Sequence, residues 1–212
     1  RAVEMARDNK LQLAVHAMGD KAIQTVIDVT KDMKPWLTTM PSVRIEHASL
    51  MTDQMFAEIA NSEMNYALVT QPIFFFAEDE SYRHYLSPAQ FKLAYRVKTM
   101  LNSQAMLGLS SDAPCTPWAE PDSPFYSIYA AVTRKAANDD VVNAEEAITV
   151  PQAILGYTRD GAKIGGFDDN GTLEVGKAAD FVILNDDIFT VPHDDLKNIH
   201  VNETWMAGKR VK

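Results

Sequence analysis

The sequence predicts an α/β fold in which four strand–helix units are followed by a small β-rich tail. Three observations carry this prediction. Short runs that are apolar nearly throughout alternate four times with segments of helical period. Strands of that kind belong to a parallel sheet covered on both faces. After Gly165-Gly166-Phe167 the alternation stops, and β-rich stretches follow one another without intervening helices. Four strand–helix units make half of a (β/α)8 barrel or an open sheet. No G-x-G-x-x-G or Walker-type glycine loop follows any strand, which weakens a nucleotide-binding open sheet.

The opening residues look helical, and Leu11–His16 reads as the first buried strand. Gly19 supplies a turn and Asp20 a helix N-cap. Ile23, Val26, Ile27 and Met33 then recur at helical spacing up to the stop at Lys34-Pro35. The second strand is Val43–His47, and Thr52 or Asp53 caps a helix over Gln54–Asn61. The third strand, about Asn65–Thr70, ends at Gln71-Pro72. An irregular, aromatic-rich stretch leads from there to a helix over Pro88–Asn102. The fourth strand, Ala105–Ser110, ends at Ser111-Asp112-Ala113-Pro114, and a proline-containing loop precedes a helix over Ser123–Ala137. A further helix over Pro151–Lys163 closes the first region. In the tail, Asp180–Leu184 and Val201–Val211 are β-rich, with a hairpin tip at Ala207-Gly208-Lys209.

With 46% apolar and 23% charged residues, the 212-residue chain has ordinary globular composition. Its net charge of −9, with no cluster of lysines or arginines, argues against nucleic acid or an anionic membrane as partner. No apolar run approaches the ~20 residues that span a bilayer; Ile73–Ala77 is among the longest. One cysteine, Cys115, excludes an internal disulfide. The first residue is Arg1, so the natural start is expected to have been removed; a cytoplasmic location is favoured.

Three polar residues stand at the predicted C-terminal ends of strands: His16, His47 and Asp112. In a parallel barrel the connecting loops converge at those ends, so all three are expected to face one mouth. Two imidazoles and a carboxylate suit a borderline divalent metal such as zinc, which activates water near neutral pH. Each residue taken singly has a framework reading. Three at equivalent positions favour a site. Gln71, after the third strand, is a candidate substrate contact or an amide that holds the loop before Pro72. His84, in the aromatic stretch, is a weaker substrate candidate. His193 and His200 read as surface residues, Cys115 has no base beside it, and Arg134 and Lys135 read as cations ending a helix. The methionines, Met18, Met51 and Met106 among them, read as core filler.

The letters around these positions resemble those of a known family. His16-Ala17-Met18-Gly19-Asp20, Ile45-Glu46-His47-Ala48 and Ser110-Ser111-Asp112-Ala113-Pro114 resemble, in order and spacing, the fifth, sixth and eighth barrel strands of the amidohydrolase superfamily. Gly176-Lys177-Ala178-Ala179-Asp180 resembles the superfamily's return into a small β-sandwich. Within the superfamily, the set is most similar to the branch containing N-substituted formamide deformylases. The resemblance implies the C-terminal half of a TIM-type (β/α)8 barrel over residues 1–165 and strands of a composite β-sandwich over 166–212. It implies that His16 and His47 bind a divalent metal, zinc by preference. It also implies that Asp112 binds metal and shuttles a proton in hydrolysis of a small-molecule amide, N-acyl or cyclic amide C–N bond.

Two departures stand out. The chain has no His-x-His pair, which the family carries on its first strand, and its own first strand matches the family's fifth. The chain alone is therefore expected to be inactive and to self-associate through its exposed barrel edges. Gly19 stands where the superfamily's deaminases carry a glutamate, which disfavours deamination. The alternative class is a non-catalytic regulatory protein on the same scaffold, since fold alone does not fix function.

Overall fold

A computed structural model describes residues 1–115 and 120–212. Helix α1 (Ala2–Asp8) leads into strand β1 (Leu13–Ala17), and α2 (Asp20–Thr30) connects it to β2 (Val43–His47). Helix α3 (Asp53–Asn61) follows, then β3 (Tyr66–Thr70), and then three helices, α4 (Pro72–Tyr85), α5 (Pro88–Phe91) and α6 (Val97–Leu101). Strand β4 (Met106–Leu109) completes a four-stranded sheet of order β1-β2-β3-β4, parallel throughout. No helix among the described residues is long and apolar enough to cross a membrane.

The sheet's helix-facing side is the core. Val43 and Ile45 of β2 and Leu68 of β3 are fully buried, against Ile23 and Ile27 of α2 and Met55 and Ile59 of α3. Interior strands buried on both faces need no polar alternation, and all five residues of β3 are buried. The Thr30 hydroxyl meets the Tyr66 hydroxyl at 2.8 Å, so these two buried hydroxyls satisfy each other. On the opposite face the register aligns Ala14 and His16 with Arg44 and Glu46, and these with Ala67 and Val69. That face is partly open at β1 and β2. Over β3 and β4 it is covered by Ile164, which approaches Gly108 so closely that a Cβ there would lie 2.9 Å from Ile164 Cδ1. A glycine in the strand makes that approach possible.

The remaining helices are α7 (Pro124–Thr133), α8 (Val150–Tyr157) and α9 (Arg159–Gly165). A second sheet, antiparallel and of order β5-β6-β7, comprises β5 (Phe181–Leu184), β6 (Val201–Met206) and β7 (Lys209–Arg210), with Ala207 and Gly208 at the hairpin tip. Between β5 and β6 the chain returns to the main body: Ile188, Leu196 and Ile199 join the principal core. There Lys135 donates to Asp194 at 2.6 Å.

Several sequence expectations are corrected. The stretch after Gln71 is helical, not irregular; Pro72 sits in its first turn, where a missing N–H costs nothing and φ suits a helix. His84 therefore lies on α4, not in a loop. The helix expected over Pro88–Asn102 is two short ones, because Tyr95 takes a left-handed conformation (φ 51°) and donates its N–H to Ser49 O at 2.9 Å. The helix expected over Pro151–Lys163 is broken at Thr158. Gly19, not Asp20, is the N-cap of α2. Of the two caps proposed for α3, Thr52 fills the role, accepting from Met55 N at 3.3 Å.

Candidate active site

His47 is the last residue of β2, an interior strand. The chain leaves the sheet there through two left-handed residues, His47 (φ 70°) and Ala48 (φ 48°), a region disfavoured for side chains bearing a Cβ. The turn is held from the neighbouring strand end: Ala48 N–H donates to Ala17 O at 3.1 Å, and Leu50 N–H donates to Met18 O at 3.2 Å. Backbone strain concentrated at a strand end, secured by flanking bonds, marks a position the surrounding structure over-determines.

The His47 side chain is only 6% exposed. Its ring stacks on Phe74 (5.8 Å between centroids, 17° between planes) and meets the edge of the His16 ring at 4.5 Å and 76°. Burial is the largest influence on its pKa and pushes it below the ordinary imidazole value; His16 beside it adds to the depression. The Asp112 carboxylate and the bond to Gln71 pull the other way without reversing the shift. His47 is thus held as a neutral imidazole, the form that offers a lone pair.

Gln71 sits at the end of β3, 1% exposed. Its Oε1 lies 3.0 Å from His47 Nδ1, and its Nε2 donates to Ser110 Oγ at 2.8 Å and to Val69 O at 3.4 Å. Of the two readings offered for Gln71, these bonds match the amide that holds its surroundings in place: both ends are bonded inside the protein. Ser110 follows β4. Its N–H donates to Thr70 O at 3.1 Å, and its carbonyl accepts from the Tyr157 hydroxyl at 3.1 Å. Burial raises the pKa of that phenol. Ser110 was visible beforehand only as a letter of the Ser-Asp-Ala-Pro motif, and Tyr157 carried no signal, because its partner lies far away in sequence.

His16 stands on the edge strand β1 and is exposed. Asp112, exposed and left-handed (φ 51°), turns the chain after β4, its carbonyl accepting from Cys115 N–H at 2.8 Å. Among the described residues no group of three His, Cys, Asp or Glu side chains is close enough to hold a metal ion. Of the three residues expected at one mouth, the two imidazoles are in ring contact, and the Asp112 carboxylate acts on His47 through its charge. As a donor set, two imidazoles fit a borderline cation and fill half of the four positions zinc takes.

The other candidates lie elsewhere. His84 is exposed, its ring edge-to-face with Tyr85 at 4.7 Å. His193, His200 and Cys115 are exposed as well. Arg134, read as a cation ending a helix, is the C-cap of α7 and is fully buried: its guanidinium stacks 4.2 Å from the Phe75 ring and its Nε–H donates to Val142 O at 2.9 Å. A cavity of about 720 Å3 opens away from the imidazoles, lined by Tyr157, Phe167, Leu173, Phe181, Trp205 and Met206 on the β5–β6 side.

The sequence matches the Amidohydrolase family over residues 1–212, and the chain belongs to that family. It is 26% identical over 200 residues to the N-substituted formamide deformylase of Arthrobacter pascens, covering 93% of this chain and 36% of that protein. Its structure is similar to that of an uncharacterized metal-dependent hydrolase of Pyrococcus horikoshii (TM-score 0.73, 31% identity, 90% of this chain and 37% of that one). A zinc-bound adenosine deaminase of Xanthomonas campestris shares the fold (TM-score 0.61, 18% identity, 97% of this chain and 46% of that one). The chain thus spans less than half the length of the proteins it matches.

Proposed function

We propose that this chain carries the C-terminal half-barrel, β1 to β4, of a metal-dependent hydrolase that cleaves carbon–nitrogen bonds of small amides, N-formyl or N-acyl amines, or cyclic amides. In this reading residues 166–212 contribute strands to a small β-sandwich. The observation that carries the reading is the meeting of the His16 and His47 rings at 4.5 Å, at the C-terminal ends of adjacent parallel strands. Parallel α/β folds place their chemistry at that end. His16 and His47 would hold the divalent ion, zinc by donor type. The ion supplies Lewis-acid activation of water and of the amide carbonyl.

The chain's own residues do the rest. Gln71 and Phe74 keep the His47 ring in place, and burial keeps it neutral. Asp112, exposed at the mouth, takes the proton of the attacking water and delivers it to the departing nitrogen. Two imidazoles without a third ligand hold zinc weakly, so the 212-residue chain alone turns over no amide. The open edges of β1 and β4 pair with further strands or, in the isolated chain, with one another.

A titration of the 15N-labelled chain with Zn2+ tests this. His16 and His47 should respond together, and His47→Ala should abolish the response at His16. A response confined to His84, His193 or His200 would sink the assignment. The second reading, a non-catalytic protein on this scaffold, draws support from the two imidazoles having no third His, Cys, Asp or Glu that completes a metal site among the described residues.

A further inference from the structure

We propose that Gln71 is the positioning residue of this site. It imposes the Nδ1–H tautomer on His47, which leaves Nε2 as the free lone pair, and it ties that ring to the segment carrying Asp112. The purpose of this arrangement rests on the hydrolase reading; the tautomer itself does not.

The tautomer of His47 follows from the way the Gln71 amide points. One end of that amide faces His47 Nδ1 at 3.0 Å, and the other faces Ser110 Oγ at 2.8 Å and Val69 O at 3.4 Å. A serine hydroxyl donates or accepts, so Ser110 does not choose between the two orientations. A backbone carbonyl only accepts, so the group facing Val69 O has to be the NH2. The reverse orientation would set two carbonyl oxygens against each other at a side chain only 1% exposed. Oε1 therefore faces His47, and Nδ1 has to carry a proton in order to bond to it. In a neutral imidazole only one nitrogen is protonated, which puts the lone pair on Nε2.

The same amide is one link of a longer chain of bonds. Tyr157 Oη donates to Ser110 O at 3.1 Å, Gln71 Nε2 donates to Ser110 Oγ, and His47 Nδ1 donates to Gln71 Oε1. These three bonds run from α8 across the ends of β4 and β3 to the end of β2. They join the ring of His47 to the residue two positions before Asp112. A partner on the far nitrogen is how a ligating histidine has its ring orientation and tautomer set. Here the partner is an amide whose second end reaches the carboxylate-bearing segment.

The test is long-range 1H–15N correlation on the metal-free, 15N-labelled chain at pH 8. Free imidazole favours the Nε2–H form, so an Nδ1–H signature at His47 is diagnostic. The wild type should show a pyrrole-type Nδ1 and a pyridine-type Nε2. Gln71→Leu should return the ring to mainly Nε2–H and weaken Zn2+ binding roughly 10- to 100-fold. Gln71→Glu, which keeps an acceptor but loses the donor, should retain Nδ1–H. An Nε2–H ring in the wild type, or an unchanged ratio in Gln71→Leu, overturns the proposal. If Gln71→Leu does not fold, the wild-type and Gln71→Glu spectra decide it by themselves. An Nδ1–H ring with no Zn2+ response at His16 or His47 upholds the role of Gln71 while removing the hydrolase reading.

Discussion

His16 and His47 are the same side chain at the ends of adjacent parallel strands, and the structure treats them differently. His47 ends an interior strand: it is buried, stacked on Phe74, bonded to Gln71 and anchored through a left-handed turn. His16 lies on the edge strand and is exposed, its ring edge meeting that of His47. Position in the strand order, not residue type, decides which of the two is pre-organised. An interior strand has neighbours on both sides to supply packing and partners; an edge strand has one.

The largest difference between interior and edge should appear in the strands themselves. Leu68→Ala, at a fully buried position of β3, is expected to cost about 2–5 kcal/mol of unfolding free energy. Leu13→Ala, on the half-buried edge strand β1, should cost less than half of whatever Leu68→Ala costs. Equal losses in urea denaturation would break the comparison between interior and edge.

A smaller effect should follow pH. The pKa of His47 is depressed by burial and by His16, so the unfolded chain takes up a proton at this position before the folded one does. Its contribution to stability is complete above the ordinary imidazole pKa of about 6.5 and is lost as pH falls through the lower folded value. The urea midpoint should drop between pH 7.5 and about 5.5, and His47→Gln should shrink that drop. A drop of the same size in the variant would mean that His47 is not the group buried at a cost.

The smallest effect is expected where a buried polar group lacks the partners His47 enjoys. Arg134 is buried, neither of its terminal nitrogens has a hydrogen-bond partner among the described residues, and burial lowers its pKa to about 10. Arg134→Met gives up one bond to Val142 O and the stacking on Phe75, but it also removes a desolvated charge. The two sides nearly cancel, so a change within about 1 kcal/mol is expected from thermal or urea unfolding. A loss above about 3 kcal/mol would show that the guanidinium is held by more than these two contacts.

Much of this was legible in the residues, and the misses have identifiable causes. Strand β2 falls where its apolar pattern places it, from Val43 to His47. The aromatic run after Pro72 did not read as helical, because its large side chains face several directions instead of forming one stripe. Tyr95 broke an expected helix because Ser49, far away in sequence, captures its N–H. Gln71 was noticed for its place after a strand, but its inward turn depends on Ser110 and His47, each on a different strand end. Arg134 reads from the sequence as a cation at a helix end, which it is. Its burial follows from Phe75 and Val142 closing over it.

By itself, then, the sequence determined the alternation of strands and helices, the parallel class of the main sheet, and the polar residue types at three strand ends. Periodicity and composition are local properties, written along the chain in the order in which it is read. Tertiary structure alone decided that His47 is buried and His16 is not, and that Gln71 serves His47 and Ser110. Burial and hydrogen-bond partnership are set by strand order and by contacts between residues far apart in sequence.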